Sequence, residues 1–204
     1  MGRLALIATL LLSVALMADR PASGRSLYPN KAVTRIVVSQ DDQAMYVYEG
    51  ERLARTLPVS TGWPGLRKTS TPVWSGRVGR YWGTFSSFGT TQDNGYYLFT
   101  DYLDDDTWNG DVLVHGAPYQ VGPAGTKVYD TGGIGKTPVS NGCIRILPED
   151  AEWFADWDPV GVPITILPFS HGTLAYPKLG VGAQLVAATQ TLGVALPEVA
   201  TSRR

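Results

Sequence analysis

The residue best suited to chemistry is Cys143, the only cysteine in the 204-residue chain. It lies in the segment Ser140–Arg145, with the sequence SNGCIR, where Asn141-Gly142 predicts a tight turn just before the sulfur. A thiol beside the backbone amides of such a turn offers a nucleophile and donors for an oxyanion, as acyl transfer requires. A lone cysteine is also often an inert, buried hydrophobic residue, so this segment alone leaves both interpretations open.

A cysteine nucleophile needs a base, because a thiol with a pKa of about 8.5 is mostly protonated at neutral pH. The chain has two histidines, His115 and His171. His115 ends an apolar strand candidate and precedes Gly116, a position that presents a side chain at the rim of a core. It lies 28 positions before Cys143, and we predict that it is the base. His171 follows the last strand candidate and is predicted to lie in a surface loop.

A third group is expected to orient the histidine, and proximity in the sequence leaves two candidates. One is Ser140, through its hydroxyl or its carbonyl, and the other is the carbonyl of Gly116. Arg145 follows Cys143 by two positions, so the two side chains share a face if the segment is extended. Arg145 could lower the pKa of the thiol, bind a substrate carboxylate or brace the loop, and the sequence does not choose among these roles.

The N-terminal residues have the features of a secretory signal peptide. A positive charge at Arg3 precedes the apolar run 4–17, which is short for a membrane span, and small residues follow. We therefore predict a signal peptide over residues 1–24, a linker over 25–33, and a secreted, periplasmic or cell-wall location. An odd cysteine in an exported protein indicates a reactive thiol, which favours the nucleophile.

The composition excludes one class of function. The formal net charge is −1 without a long run of one sign, so nucleic-acid binding through a basic face has no support. The hydrophobic fraction of 44% is sufficient for a well-packed core. The acidic tract Asp101–Asp106 lacks the alternating spacing of a calcium loop and is predicted to be solvated. Neither a metal nor a cofactor is expected.

The elements that must position the thiol and the imidazole are short strands. Runs of β-branched and aromatic residues between turn signals predict strands at 34–39, 44–49, 53–62, 73–82, 96–100, 111–116 and 163–167. The segments 83–94 and 117–135 are predicted to be loops. One helix is predicted over Pro148–Trp157, because proline and acidic residues open it and Asp158-Pro159 ends it. The pattern predicts a mainly β domain with one helix after the cysteine.

These segments together resemble the L,D-transpeptidase catalytic domain (YkuD-like) family. The residues that carry the resemblance are His115-Gly116, Ser140–Ile146 with the Pro-Glu-Asp helix start, the segments 35–38 and 57–62, and Thr71-Pro72. The resemblance implies an L,D-transpeptidase-like β-sandwich or barrel of short strands, with a catalytic domain over residues 34–168. The extension 169–204 has a weaker pattern that could make a short amphipathic helix at 181–194 or a loose tail.

The resemblance implies an enzyme that acts on peptidoglycan stem peptides in the cell wall. Such enzymes release the terminal D-alanine of a tetrapeptide stem, hold the stem as a thioester and pass it to an amine, giving a 3→3 cross-link or an anchored protein. It implies Cys143 as the nucleophile, His115 as the proton carrier, and the amides of Gly142 and Cys143 as oxyanion donors. Ser140 completes the catalytic set, and Asn141, Arg145 and Gly116 are expected at the substrate. A covalent carbapenem adduct on the cysteine is also implied.

Two departures from the family pattern concern the site. Many members have His-Gly-Cys where this chain has Asn141-Gly142-Cys143, and asparagine can still donate a hydrogen bond there. The spacing between His115 and Cys143 is longer than in many members. The extra length falls in Tyr119–Gly132, which is expected to be an inserted loop that narrows substrate choice or acts as a lid.

Three alternatives remain open from the sequence. Water as the acyl acceptor would give an L,D-carboxypeptidase or hydrolase on the same scaffold. A wall-binding module could keep the fold without the chemistry, although the presence of both His115 and Cys143 argues against it. A sortase-like transpeptidase also uses cysteine, histidine and arginine, but its arginine would lie on a later strand. The sequence does not indicate the oligomeric state.

Overall fold

The computed structural model describes residues 29–170 of the chain. The predicted signal peptide, part of the linker, His171 and the predicted helix at 181–194 lie outside the described residues. Within residues 29–170, no helix has the length and apolar character needed to cross a membrane.

The described chain forms eleven strands and one α-helix. The strands are β1 (Thr34–Ser39), β2 (Ala44–Glu49), β3 (Arg52–Ser60), β4 (Trp74–Arg77), β5 (Tyr81–Ser87), β6 (Thr90–Tyr102), β7 (Trp108–Gly116), β8 (Tyr119–Val121), β9 (Lys127–Tyr129), β10 (Ile144–Ile146) and β11 (Pro163–Ile166). The helix α1 (Pro148–Trp157) lies between β10 and β11. The mainly β fold with one helix after the cysteine is confirmed.

The strands follow one hydrogen-bonded path in the order β4-β11-β1-β2-β3-β10-β7-β6-β8-β9, with β5 paired to β6 off this path. The pairs β1–β11 and β7–β10 are parallel. Parallel neighbours need a long connection, and the chain between β7 and β10 includes the β8–β9 hairpin. This topology places β10 in the middle of the path, between β3 and β7.

The core lies between α1 and one face of the strands. Its strand residues alternate with outward residues, as a half-buried sheet requires, and include Ile36, Val38, Met45, Val47, Leu57, Val59, Val112, Val114, Ile144 and Ile146. From the helix, Phe154 is fully buried and meets Tyr96 edge-on, with 5.4 Å between the ring centroids. Helix α1 therefore fixes the inner face of the strands that carry the cysteine and the histidine.

The start of α1 agrees with the prediction from its sequence. Pro148 opens the helix and the acidic Glu149 and Asp150 lie in its first turn, where the helix dipole favours negative charge. Asp150 also accepts a 2.8 Å hydrogen bond from Arg55 of β3. The guanidinium of Arg55 lies over the ring of Trp153 at 4.1 Å, so the helix is tied to the sheet by charge as well as by packing.

Three predicted segments differ from the structure. The predicted strand at 73–82 is broken between β4 and β5, where Val78 and Gly79 bond to residues of other segments. The predicted loop at 83–94 is instead mostly strand, forming the β5–β6 hairpin. The predicted loop at 117–135 contains the β8–β9 hairpin. These strands are rich in exposed residues, so they lack the apolar alternation that marks a half-buried strand.

The acidic tract Asp101–Asp106 is only partly the solvated loop that its composition predicts. Asp101 is buried at the end of β6 and accepts hydrogen bonds of 2.8 and 2.7 Å from the guanidinium of Arg67. Asn109 of β7 donates to the same carboxylate at 2.8 Å. A buried carboxylate requires such partners, and the pair ties the chain before β4 to the β6–β7 hairpin. Among residues 29–170, no cluster of three His, Cys, Asp or Glu is placed to hold a metal.

We expect truncation of Phe154 to destabilise the domain strongly. Phe154→Ala should lower the free energy of unfolding by about 3–5 kcal/mol, because it removes a buried ring and leaves a cavity. Phe88→Ala is the matched control, since Phe88 is 82% exposed at the β5–β6 turn. Urea unfolding followed by tryptophan fluorescence measures both values. Equal losses for the two variants would contradict the assignment of Phe154 to the core.

Candidate active site

The parallel pairing of β7 with β10 brings the predicted nucleophile and base to one face of the sheet. Arg145 lies opposite His115 in the register, and Ile144 lies opposite Val114. Ile144 and Val114 both point into the core. Because strand residues alternate, His115 and Arg145 project from the other face, and Cys143, two positions before Arg145, lies on their side.

The sulfur of Cys143 rests against strand β7. Its thiol donates to the carbonyl oxygen of Asp111, with 3.6 Å between sulfur and oxygen, and the backbone amide of Leu113 donates to the sulfur. Leu113 is two positions before His115, so it projects from the same face. Burial raises the pKa of the Cys143 thiol, while the Leu113 amide and the charge of Arg145 act in the opposite direction. The resting nucleophile is therefore a neutral thiol that needs a base.

His115 is held as a neutral imidazole with one nitrogen available. The side chain is buried, and its Nδ1 lies 2.7 Å from the carbonyl oxygen of Gly116. A carbonyl only accepts, so Nδ1 carries the proton and Nε2 of the neutral ring is left as an acceptor. Burial lowers the pKa of His115 to about 4, with the Gly116 carbonyl opposing this shift and the charge of Arg145 adding to it.

The aromatic ring of Phe85 closes one side of the histidine. Its centroid lies 5.4 Å from that of the His115 ring, and the two planes meet at 86°. This edge-on contact keeps water from that side of the imidazole and explains part of its burial.

The thiol and the imidazole do not yet share a hydrogen bond. Among the described residues, the thiol of Cys143 has the carbonyl of Asp111 as its acceptor rather than a nitrogen of His115. Rotation about the Cα–Cβ bond of the cysteine would redirect the thiol, and catalytic hydrogen bonds often tighten only when substrate binds. Both groups are neutral at rest, so this arrangement fits general-base activation of the thiol.

Of the two groups predicted to orient the imidazole, Ser140 and the carbonyl of Gly116, the structure places the carbonyl of Gly116 against the ring. The Ser140 hydroxyl donates to the carbonyl oxygen of Cys143 and accepts a 3.2 Å hydrogen bond from the amide of Gly142. It therefore closes the turn and does not orient His115. The carbonyl of Gly116 orients the imidazole, and the predicted place of Gly116 at the substrate stays a prediction.

The turn before Cys143 requires glycine at position 142. Gly142 has φ of +112°, in the region that other residues rarely adopt. Its amide is bonded to Ser140, so in this structure it is not free to bind an oxyanion, as the family pattern implied. Asn141 is exposed on the outside of the same turn, where its side chain is open to a substrate.

A chain of buried hydrogen bonds holds the turn from behind. The hydroxyl of Thr71 donates to the carbonyl of Gly142 at 2.8 Å and accepts from the amide of Gly62 at 2.7 Å. Gly62 fits because a Cβ there would overlap the backbone at Thr69. The backbone of Ser140 also pairs with the same segment, donating to Thr61 and accepting from Trp63 at 3.0 Å each.

Two buried glutamines in the turn between β1 and β2 extend this support, and no sequence signal singled them out. Gln43 accepts from the amide of Thr61 at 2.9 Å and donates to its hydroxyl at 2.8 Å. Gln40 donates to the carbonyl of Thr71 at 3.1 Å. A turn with a glutamine at each end gives no signal of burial, because glutamine is usually exposed.

Arg145 remains available to a ligand. Its side chain is 17% exposed, and among the described contacts its guanidinium has one partner, Asp130, at 3.9 Å. No backbone carbonyl accepts from it among those contacts, so the loop-bracing role has no support. The guanidinium influences the pKa of both Cys143 and His115, which places its charge beside the two reacting groups.

The segment Tyr119–Gly132 is a hairpin fixed beside the site. The carboxylate of Asp93 in β6 accepts from the hydroxyl of Tyr119 at 3.1 Å, from Thr84 at 2.8 Å and from Lys127. The bonds from Tyr119 and Lys127 hold β8 and β9 against β6. The lid role predicted for the segment stays a prediction, but its base is ordered.

Comparison with known proteins identifies the family. The model of the L,D-transpeptidase catalytic domain (YkuD) matches residues 33–166, which is more than half of the chain. The chain therefore belongs to the L,D-transpeptidase catalytic domain family.

Two curated relatives come from Mycobacterium tuberculosis. L,D-transpeptidase 1 is 30% identical over 141 residues, covering 64% of this chain and 49% of that protein. L,D-transpeptidase 2 is 27% identical over 149 residues, covering 68% of this chain and 33% of that protein. A solved L,D-transpeptidase from Mycobacterium smegmatis shares the fold, with a TM-score of 0.50, 22% identity, and coverage of 67% of this chain and 59% of its own. The matched region thus spans half or less of the curated relatives.

We expect Thr71→Val to slow alkylation of Cys143 and to destabilise the domain. The change leaves the amide of Gly62 and the carbonyl of Gly142 without a buried partner, which should reduce the free energy of unfolding by about 1–3 kcal/mol. Thr165→Val is the matched control, since the one contact of its hydroxyl among residues 29–170 is with Ser75 at an exposed site. The measurements are urea unfolding and the rate of cysteine alkylation. If both variants behave alike, Thr71 does not hold the turn.

The buried histidine should make stability fall as the pH is lowered. The pKa of His115 is about 4 in the folded protein against an ordinary value of 6.5, so the unfolded chain binds more protons between these values. Stability that is fully present above pH 6.5 is lost as the pH falls through 4, by roughly 3 kcal/mol. Melting temperatures from pH 7.5 to 4 should therefore fall less steeply for His115→Gln than for the wild type. His171→Gln is the control, and a slope for His115→Gln equal to that of the control would contradict the account.

Proposed function

We propose that this chain is a cysteine L,D-transpeptidase that acts on peptidoglycan stem peptides in the cell wall. The observation that carries the proposal is the neutral His115, whose Nδ1 is held by the Gly116 carbonyl and whose Nε2 is free on the face that carries Cys143. Membership of the family supplies the substrate class. The predicted signal peptide agrees with a substrate that lies outside the cell, and secretion is part of the proposal.

In the first half-reaction, Nε2 of His115 takes the proton of the thiol while the sulfur of Cys143 attacks the carbonyl between the third and fourth residues of the stem. The carbon–nitrogen bond then breaks, and the imidazolium gives its proton to the departing amine of D-alanine. The products are free D-alanine and a thioester on the cysteine, and the histidine is neutral again.

The negative charge on the carbonyl oxygen needs a donor during this step. We assign that role to the backbone amide of Cys143. The amide of Gly142 is bonded to the Ser140 hydroxyl and would contribute only after that 3.2 Å bond opens. Donors directed at a developing oxyanion commonly account for a large part of the rate.

In the second half-reaction, an amine attacks the thioester and His115 accepts the amine's proton. The sulfur leaves and recovers this proton as a thiol, and a new amide joins the stem to the acceptor. An amine on a second stem gives a 3→3 cross-link, an amine on a protein gives anchoring, and water gives a carboxypeptidase. A carbapenem would acylate the same sulfur as its lactam carbon–nitrogen bond breaks, with the ring nitrogen taking the proton from His115 and remaining attached to the adduct.

We expect incubation with a disaccharide-tetrapeptide to release D-alanine and to form a cross-linked dimer, both followed by mass spectrometry. Cys143→Ala should abolish both products because the nucleophile is lost. His115→Gln should slow them by about 10²–10⁴-fold because the thiol loses its base.

Glu51→Gln is the control variant, since Glu51 is 85% exposed on the β2–β3 turn. D-alanine without dimer would identify the hydrolase. No D-alanine and no covalent adduct with iodoacetamide or a carbapenem would identify an inert module and contradict the proposal.

A further inference from the structure

The inserted hairpin brings one carboxylate to the edge of the active site. Asp130 follows β9, and its Oδ2 lies 3.9 Å from Nη1 of Arg145. Its backbone amide is fixed by a 2.8 Å hydrogen bond to the carbonyl of Pro118, and its Oδ1 accepts from the amide of Gly132 at 3.4 Å. The side chain is 70% exposed, so the backbone is held while the carboxylate stays loosely paired.

The guanidinium of Arg145 has unused capacity for an anion. It carries five N–H donors, and a carboxylate that matches it closely forms two short, parallel hydrogen bonds. The distance of 3.9 Å to Asp130 is too long for that geometry. The pair is therefore weak, as exposed ion pairs generally are, and little opposes its exchange for a better-placed carboxylate.

The proposed donor ends in a carboxylate close to the bond that is cut. The carboxylate belongs to the terminal D-alanine, the residue directly after the scissile carbonyl. The carbon of the carboxylate and the carbon of the scissile carbonyl therefore lie within about 4 Å of each other. Arg145 is two strand positions from Cys143 on the same face, a spacing of about 6–7 Å between the Cα atoms. With the sulfur at the scissile carbonyl, the terminal carboxylate lies within reach of the long Arg145 side chain.

We propose that Asp130 occupies the place on Arg145 that the donor's terminal carboxylate takes, so that donor binding exchanges one carboxylate for the other. The identity of this donor rests on the proposed function. Between turnovers Asp130 neutralises a partly buried cation beside the thiol. The exchange also gives the hairpin a part in specificity, because a donor without a free carboxylate cannot displace Asp130.

Alkylation of Cys143 tests the exchange without any peptidoglycan. Iodoacetate and iodoacetamide react by the same displacement and differ in the negative charge of iodoacetate. Both rate constants are proportional to the fraction of Cys143 that is thiolate, and the variants change this fraction. The ratio of the two rate constants at one pH does not depend on it. Asp130→Asn should raise the iodoacetate-to-iodoacetamide ratio about two- to fivefold, because the competing carboxylate is gone. Arg145→Gln should lower the ratio by at least about fivefold, because the anion loses its partner.

Glu51→Gln is the matched control, since it also removes one negative charge from an exposed side chain. Glu51 lies just before the first residue of β3, whereas the last residue of β3, Ser60, pairs with Arg145. Its ratio should equal that of the wild type. If the ratio for Asp130→Asn equals that of this control, the exchange is disproved.

A second experiment, with peptide donors, tests whether the exchange affects turnover. With a tetrapeptide donor, Asp130→Asn should lower KM with little change in kcat, whereas a donor ending in an amide should show no such gain. An equal gain for both donors would disprove the exchange. Shifted alkylation ratios without any D-alanine release would support carboxylate exchange at Arg145 and would contradict the proposed function instead.

Discussion

The parallel pairing of β7 with β10 is the constraint on which the site depends. It joins two strands separated by the whole inserted hairpin, and its register sets Arg145 opposite His115. The same pairing buries Ile144 and Val114 in the core under α1, so a slip of one residue would turn the reactive side chains inward. Hydrophobic packing on one face thus fixes the chemistry on the other.

The turn that ends in Cys143 is stabilised by side chains from other segments of the chain. It depends on the buried hydroxyl of Thr71, which joins the amide of Gly62 to the carbonyl of Gly142, and on Gln43, which holds the adjacent Thr61. These polar groups are satisfied within the protein, so the network is rigid and leaves the sulfur against β7. Burial also keeps the thiol and the imidazole neutral, so in the proposed reaction the proton passes between them when the substrate reacts and not beforehand.

The sequence allowed the fold class, the helix Pro148–Trp157 and the Cys143–His115 pair to be predicted, because apolar alternation, helix-start residues and a single cysteine behind a predicted signal peptide are local signals. The β5–β6 and β8–β9 hairpins were missed because β5, β8 and β9 bury few residues and the first half of β6 is polar. The choice between Ser140 and Gly116 as the partner of the imidazole depended on tertiary geometry. The role of Gln40 and Gln43 could not be predicted from the sequence either. Their partners Thr61 and Thr71 lie beyond β3 and come close to the glutamines only in the folded protein.

The thioester on Cys143 is the central claim, and trapping it is the most direct test. The protein would be mixed with a tetrapeptide donor whose free amines are acetylated, so that no amine acceptor is present, then quenched with acid at early times and analysed by intact-protein mass spectrometry. We expect an added mass equal to the donor minus D-alanine, located on the peptide that contains Cys143, and much slower formation of this adduct in His115→Gln. D-alanine release from protein that carries no adduct, or an adduct on another residue, would contradict it.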